Sequence, residues 1–200
     1  MEMVYEKIKL FRKQMEILIP EGFKDMPDYV AKKKYPSKHR PPVILMDKNN
    51  MVNFTFHLMD MALAEGQLKK AAEGFVKSMK QVYVNAKFQE LQYGERNDGG
   101  KIAWLAYETM AIDADIFNIM FITPLEGKLL YGSFNCILGM QDEWEEIAMY
   151  CIRTITKVEE EQGKVRFHPV GSFVADFQQQ CGRLSGYKKA DSLVDRKSVV

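Results

Sequence analysis

No stretch of this chain approaches the run of about twenty apolar residues that a bilayer-spanning helix needs, so the sequence predicts no membrane segment. The first residues, Met1-Glu2-Met3-Val4-Tyr5-Glu6-Lys7, lack the continuous apolar core of a secretory signal, and cytoplasm is the expected compartment. Cysteine is scarce. The three present are odd in number and irregularly spaced, which argues against a disulfide framework and fits a reducing environment. An excess of one charge is lacking too: 28 Lys and Arg against 27 Asp and Glu leave a formal net charge of +1. No global field therefore steers the chain toward nucleic acid or an anionic membrane surface.

Signatures of chemistry are equally thin. His39, His57 and His168 stand alone, without Cys-x-x-Cys or His-x-x-x-His spacing, so no metal site is expected. Asp113 and Asp115 flank Ala114 at a hairpin tip, where acids serve as turn formers more often than as cation ligands. Ser133 and Cys136 fall within a strand pattern rather than on a strand-to-helix elbow, and no Gly-x-Ser-x-Gly is present. Cys151 lies on the apolar stripe of a helix and reads as a small core residue. Cys181 is expected to be reachable by solvent, with nothing beside it to activate a thiol. Gly99-Gly100 marks a hairpin turn, and no glycine-rich element leads from a strand into a helix to cradle phosphates. No cofactor is expected.

What the chain does have is pattern. From Phe88 to Ile155, four apolar-rich strand candidates run into an amphipathic helix. They are separated by Arg96-Asn97-Asp98-Gly99-Gly100, Asp113-Ala114-Asp115 and Pro124-Leu125-Glu126-Gly127. Connections this short favour an antiparallel meander, since a parallel crossover needs a dozen or more residues. Ile102, Trp104 and Ala106 point one way, and Ala103, Leu105 and Tyr107 the other. Phe117, Ile119 and Phe121 likewise oppose Ile116, Met120 and Ile122. A strand apolar on both sides needs cover on both, because leaving either row wet forgoes about 25 cal/mol per Å². The expected class is therefore α+β, a mainly antiparallel sheet with helices on both faces.

At 200 residues and 23.2 kDa a single domain is the default. Lys7–Leu10 and Met15–Ile19 read as an opening hairpin ended by Pro20 and Gly22. Residues 26–34 suggest a short helix with Pro27 near its start, where a missing N–H costs little. A proline-rich loop follows, and then a second hairpin, Val43–Met46 with Met51–Leu58. In its second arm Val52, Phe54, Phe56 and Leu58 alternate with Asn53, Thr55 and His57, so one side is apolar and the other mostly polar. Residues 65–84 form the clearest helix, with Leu68, Ala71, Ala72, Phe75, Val76 and Met79 at three- and four-residue steps. Trp144, Ile147, Ala148, Cys151, Ile152 and Ile155 make a second stripe over residues 141–157, with Asp142, Glu143, Glu145 and Glu146 early and Lys157 late, as the helix dipole favours. Residues 1–159 are thus expected to form the domain and 160–200 an extension, with one further short helix over 171–181 and a loose end.

Two features await a role. Lys32-Lys33-Lys34-Tyr35-Pro36-Ser37-Lys38-His39-Arg40 is the densest cationic run, suited to an acidic partner or phosphates or, more simply, to solvation. Met59, Met61 and Met140, among 13 methionines, fall near element ends, where flexible thioethers suit either core filling or an adaptable binding surface.

The order hairpin, short helix, hairpin, long helix, four-strand meander, final helix, with Ile19-Pro20-Glu21-Gly22-Phe23 closing the first hairpin and Trp144 early in the last helix, resembles the PsbP-like superfamily. That group includes the photosystem PsbP proteins, the Ran-binding Mog proteins and the bacterial DcrB-like proteins. The resemblance covers about residues 5–158 and implies an α/β/α sandwich. It also implies an accessory, protein-binding role, since members mostly bind other proteins and some DcrB-like ones act as chaperone-type adaptors. It carries over no catalytic residue.

Two functional expectations follow. The first is a non-enzymatic protein-binding module, an adaptor, chaperone or immunity-type factor, using the less covered sheet face with Tyr35, His57, Tyr107 and Tyr131 as contacts; Val170–Phe177 would dock on that face in cis or from a neighbouring chain. The second is a small-molecule carrier or enzyme with a pocket between sheet and long helix, lined by Trp104, Tyr107 and Phe121.

Overall fold

The computed structural model describes residues 3–37, 39–110 and 114–158. The expected extension over 160–200, its helix over 171–181, the Val170–Phe177 segment, His168 and Cys181 lie outside the described residues.

Among the described residues, eleven strands and three α-helices follow one another. Strands β1 (Tyr5–Leu10) and β2 (Met15–Pro20) form the opening hairpin. After β3 (Lys24–Asp25) comes helix α1 (Asp28–Lys34), whose first turn is anchored by Val30 and Ala31 N–H donating to the Pro27 carbonyl. The second hairpin is β4 (Val43–Met46) with β5 (Asn53–Ala62). A 3-10 turn at Glu65–Gln67 leads into α2 (Leu68–Val82). The meander comprises β6 (Lys87–Phe88), β7 (Gln92–Glu95), β8 (Lys101–Thr109), β9 (Ile116–Leu125) and β10 (Lys128–Ile137). Helix α3 (Gln141–Arg153) and the short β11 (Thr156–Lys157) complete the described chain.

The main sheet has eight strands, ordered β3-β4-β5-β10-β9-β8-β6, with β7 also paired to β8. Every pairing is antiparallel. Tight turns set the meander: Glu126 and Gly127 both have positive φ, 53° and 71°, as a two-residue primed turn between β9 and β10 requires. The last strand of the meander returns to the middle, where β10 lies beside β5.

Both faces of the sheet are covered, as the alternation demanded. Leu105 and Phe121, on opposite faces, are each 1% exposed. One face presents Phe54, Phe56, Phe117, Phe121 and Phe134 to a large core completed by Trp144, Ala148, Cys151 and Ile152 of α3. The hairpin shares that cover through Met15, Ile17 and Ile19, so the layer here is one helix beside a three-stranded sheet, β1-β2-β11. On the opposite face Leu68, Ala71, Ala72, Phe75 and Met79 of α2 pack on Ala103, Tyr107, Ile122, Leu129 and Tyr131. Met26, Ala31 and Ile44 make a smaller cluster under α1.

The last helix stops four residues short of the expected 157. Thr154 ends it: its hydroxyl donates to the Cys151 carbonyl at 2.6 Å and accepts from the Leu18 N–H at 2.9 Å. A side chain that bonds the local backbone competes with the helical ladder, and the β-branched Ile155 and Thr156 then continue in extended form. Lys157 consequently leaves the helix terminus to Arg153 and pairs with Glu126 at 3.2 Å.

Candidate functional site

The polar residues of β5 find polar partners on β10. The register sets Asn53, Thr55 and His57 opposite Asn135, Ser133 and Tyr131. Three side-chain hydrogen bonds cross between the strands: Asn53 Nδ2 to Asn135 Oδ1 at 3.0 Å, Thr55 with Ser133 at 2.8 Å, and His57 Nδ1 with the Tyr131 hydroxyl at 2.9 Å. Directly opposite pairs on a sheet face are close enough for this, and pairing meets the cost of burying hydroxyl and amide groups. Asn118 of β9 extends the row, lying opposite both Asn135 and Tyr107. Its Nδ2 donates to the Tyr107 carbonyl, the Ile116 carbonyl and the Thr109 hydroxyl at 3.1–3.4 Å.

Helix α2 covers one end of this face, and the loop after α1 covers the other. Between them lies a cleft of about 150 Å³, walled by Tyr35, Ser37, His39, Arg40 and Pro41 from the loop, by Tyr83 beyond α2, and by Thr55, Tyr107, Asn118, Met120, Tyr131, Ser133 and Asn135 from the sheet. Aromatic packing stiffens the wall: the Tyr83 and Tyr107 rings sit 5.7 Å apart and Phe88 stacks on Tyr107 at 5.3 Å. Tyr35 closes the far side, its hydroxyl accepting from Asn135 Nδ2 at 3.3 Å.

Three of the four residues expected from sequence as partner contacts, Tyr35, Tyr107 and Tyr131, line this one cleft, and the fourth, His57, is bonded to Tyr131. Burial lowers the pKa of His57 and raises that of Tyr35. Of the residues expected to line a pocket under the long helix, Trp104 and Phe121 border a gap beside Ala72 and Phe75 of α2, and Tyr107 lines the cleft instead. Trp104 and Phe121 face each other across β8 and β9 and belong to the phenylalanine-side core, whereas Tyr107 points to the α2 side. The gap between sheet and α2 holds about 10 Å³, no more than about one water. Trp104 instead meets the guanidinium of Arg153, 5.8 Å from the ring centre.

The basic run divides. Lys32 pairs with Asp28, and Lys34 donates to the Asn50 carbonyl and side chain. Lys38 lies outside the described residues. Arg40 turns inward: it lines the cleft, and its Nη1 is buried without a hydrogen-bond partner among the described residues. The thiols of Cys136 and Cys151 are buried, and burial pushes the pKa of each up to about 12. Among the described residues no group of three or more His, Cys, Asp or Glu converges as metal ligands would. No described helix is long and apolar enough to cross a membrane.

A buried arginine lies in what reads as a plain turn. Arg96 holds Asp98 through two bonds of 3.1 Å and donates to the Pro124 carbonyl at 3.1 Å. Gly100 makes room for it, since a Cβ there would lie 2.0 Å from Nη2. With both its carboxylate and its carbonyl in place, this group ties two turns together.

No protein-family profile matches the sequence, and no curated protein matches it. Solved structures do. The solution structure of cyanobacterial PsbP (CyanoP) from Synechocystis sp. PCC 6803 is similar at a TM-score of 0.55 and 12% identity, over 76% of this chain and 92% of that one. A variant of the protein Mog1 is similar at 0.53 and 12% identity, over 78% and 97%. At such identity the likeness is one of architecture: the chain has the PsbP/Mog1-like fold.

Proposed function

We propose that this chain is a non-enzymatic protein-binding module of the adaptor, chaperone or immunity type, working in the cytoplasm, and that it receives a segment of its partner in the tyrosine-walled cleft. The supporting observation is the convergence of Tyr35, Tyr107 and Tyr131 on one opening. Tyrosines give large contact area and a hydroxyl at low entropic cost, the combination favoured at binding hot spots. At about 150 Å³ the cleft is smaller than the roughly 300–1,000 Å³ usual for organic ligands and cofactors, and suits one protruding side chain. The resemblance to a superfamily of mostly protein-binding members points the same way. Residues 1–159 form the binding unit in this reading, and 160–200 an extension.

Affinity capture with three baits tests it. Ser133→Gln fills the cleft, and Lys77→Glu alters the exposed side of α2. A partner retained by wild type and Lys77→Glu but lost by Ser133→Gln supports the cleft as the binding site. Equal capture by all three overturns it. A chain ending at residue 159 is expected to keep both its denaturation midpoint and the partner.

A further inference from the structure

Counting hydrogen-bond donors and acceptors around the cleft shows an imbalance. Arg40 Nη1 is buried and has no acceptor among the described residues. The Tyr35 hydroxyl accepts from Asn135, and its own proton has no acceptor among the described residues. Thr55 and Ser133 share a single bond, so whichever hydroxyl donates, the proton of the other is left over. Three donors therefore border one small space. Asn53 Oδ1, a buried acceptor without a partner, belongs to a residue that does not line the cleft.

Buried polar groups are almost always hydrogen-bonded, and a guanidinium nitrogen left without an acceptor is among the costlier exceptions. The missing component is thus an acceptor, and beside a guanidinium an anionic one. Its charge is bounded as well. Arg40 is the one lysine or arginine among the described lining residues, matching a single negative charge rather than the nearly doubled charge of a phosphate ester. At about 30 Å³ per water, about 150 Å³ is the space of roughly five waters, enough for a carboxyl group on a short stem. Met120 and Pro41 offer that stem apolar walls.

We propose that the cleft takes one carboxylate, carried by an acidic side chain or a chain terminus of the partner protein, with Arg40 Nη1, the Tyr35 hydroxyl and the Thr55–Ser133 pair as its donors. This rests on the reading of the cleft as a partner site and adds the chemistry it selects. Arg40 acts as the charge-reading residue, and the hydroxyls orient the carboxylate plane.

The test is an amide NMR titration of the full chain with acetyl-Gly-Glu-Gly-amide, its Gln counterpart and sodium butyrate. The Glu peptide is expected to shift the amides of Tyr35, Asn118 and Ser133, and the Gln peptide to bind at least about tenfold more weakly, as loss of a charged hydrogen-bond partner predicts. Arg40→Gln is expected to abolish the preference for Glu over Gln, and Tyr35→Phe to weaken Glu binding severalfold. Should Arg40→Gln fail to fold, Arg40→Lys retains one charge without the fork and is expected to keep the preference at reduced affinity. Equal binding of the two peptides to wild type overturns the proposal, as does a preference that survives in Arg40→Gln. Butyrate binding tighter than the Glu peptide overturns the assignment to a protein partner in favour of a free small acid. A partner captured by Arg40→Gln but not by Ser133→Gln would leave the binding function standing and remove the carboxylate.

Discussion

On one face of the main sheet Phe54, Phe56, Phe117, Phe121 and Phe134 are at most 1% exposed; one residue away, on the same strands, stand Thr55, His57, Asn118 and Ser133. The backbone is common to both rows, and a single step along it turns a ring that needs burial into a hydroxyl or amide that needs a partner. The phenylalanine side is closed by α3 and the opening hairpin, with rings such as Phe54 and Phe134 5.1 Å apart. Among the described residues the polar side is closed at its ends, by α2 and by the loop around Arg40. One sheet can thus carry an apolar core on one face and a polar row on the other, which lets the polar face vary with little cost to the fold.

Substitutions that affect one face and spare the other test this division. Phe134→Ala empties a fully buried position among Phe54 and Trp144, and urea denaturation is expected to show a loss of about 3–5 kcal/mol. A loss below about 1 kcal/mol would mean that the phenylalanine side is not where stability resides. Gly132→Ala places a Cβ 2.5 Å from both Phe121 Cζ and the Thr55 carbonyl. Because one obstacle is backbone, the expected cost is about 1–3 kcal/mol, partly relieved by Phe121→Leu. On the polar side, Ser133→Ala is expected to cost only about 0.5–1.5 kcal/mol, and Thr55→Val with Ser133→Ala no more, since the second change removes the group left unpaired.

The smallest effect is one of pH. Burial depresses the folded-state pKa of His57, so the unfolded chain binds its proton more readily. Its contribution is complete above the unfolded value of about 6.5 and is lost as pH falls from there through the lower folded value. The denaturation midpoint of His57→Gln is therefore expected to depend less on pH between 7 and 5 than that of wild type, and identical slopes would count against a buried neutral imidazole.

Much of this architecture is legible in residue order because alternation is local. Leu105 and Phe121 announce two buried faces, and Asn53-x-Thr55-x-His57 announces a polar one. Parity alone also separates Trp104 from Tyr107, three residues apart, and the structure sets them on opposite faces of β8. Other features are set by distant neighbours. Thr154 ends its helix partly through Leu18, and Arg40 is turned into the cleft by a loop whose residues carry no periodic pattern. Asn118 and Asn135 interrupt apolar strands, and only the pairing of β9 with β10 and of β10 with β5 shows that they continue one polar row.

That central pairing also bears on how the chain is made. Thr55 waits for Ser133, 78 residues downstream, before β5 has a neighbour on its second side. At about 5–20 residues per second on the ribosome, the delay is roughly 4–16 s. Through that interval the growing N-terminal half exposes an unsatisfied strand edge, the kind of surface that seeds aggregation. Closure of the middle of the sheet is thus a late, long-range event, and slow folding is the price of having its two central strands come from opposite halves of the chain.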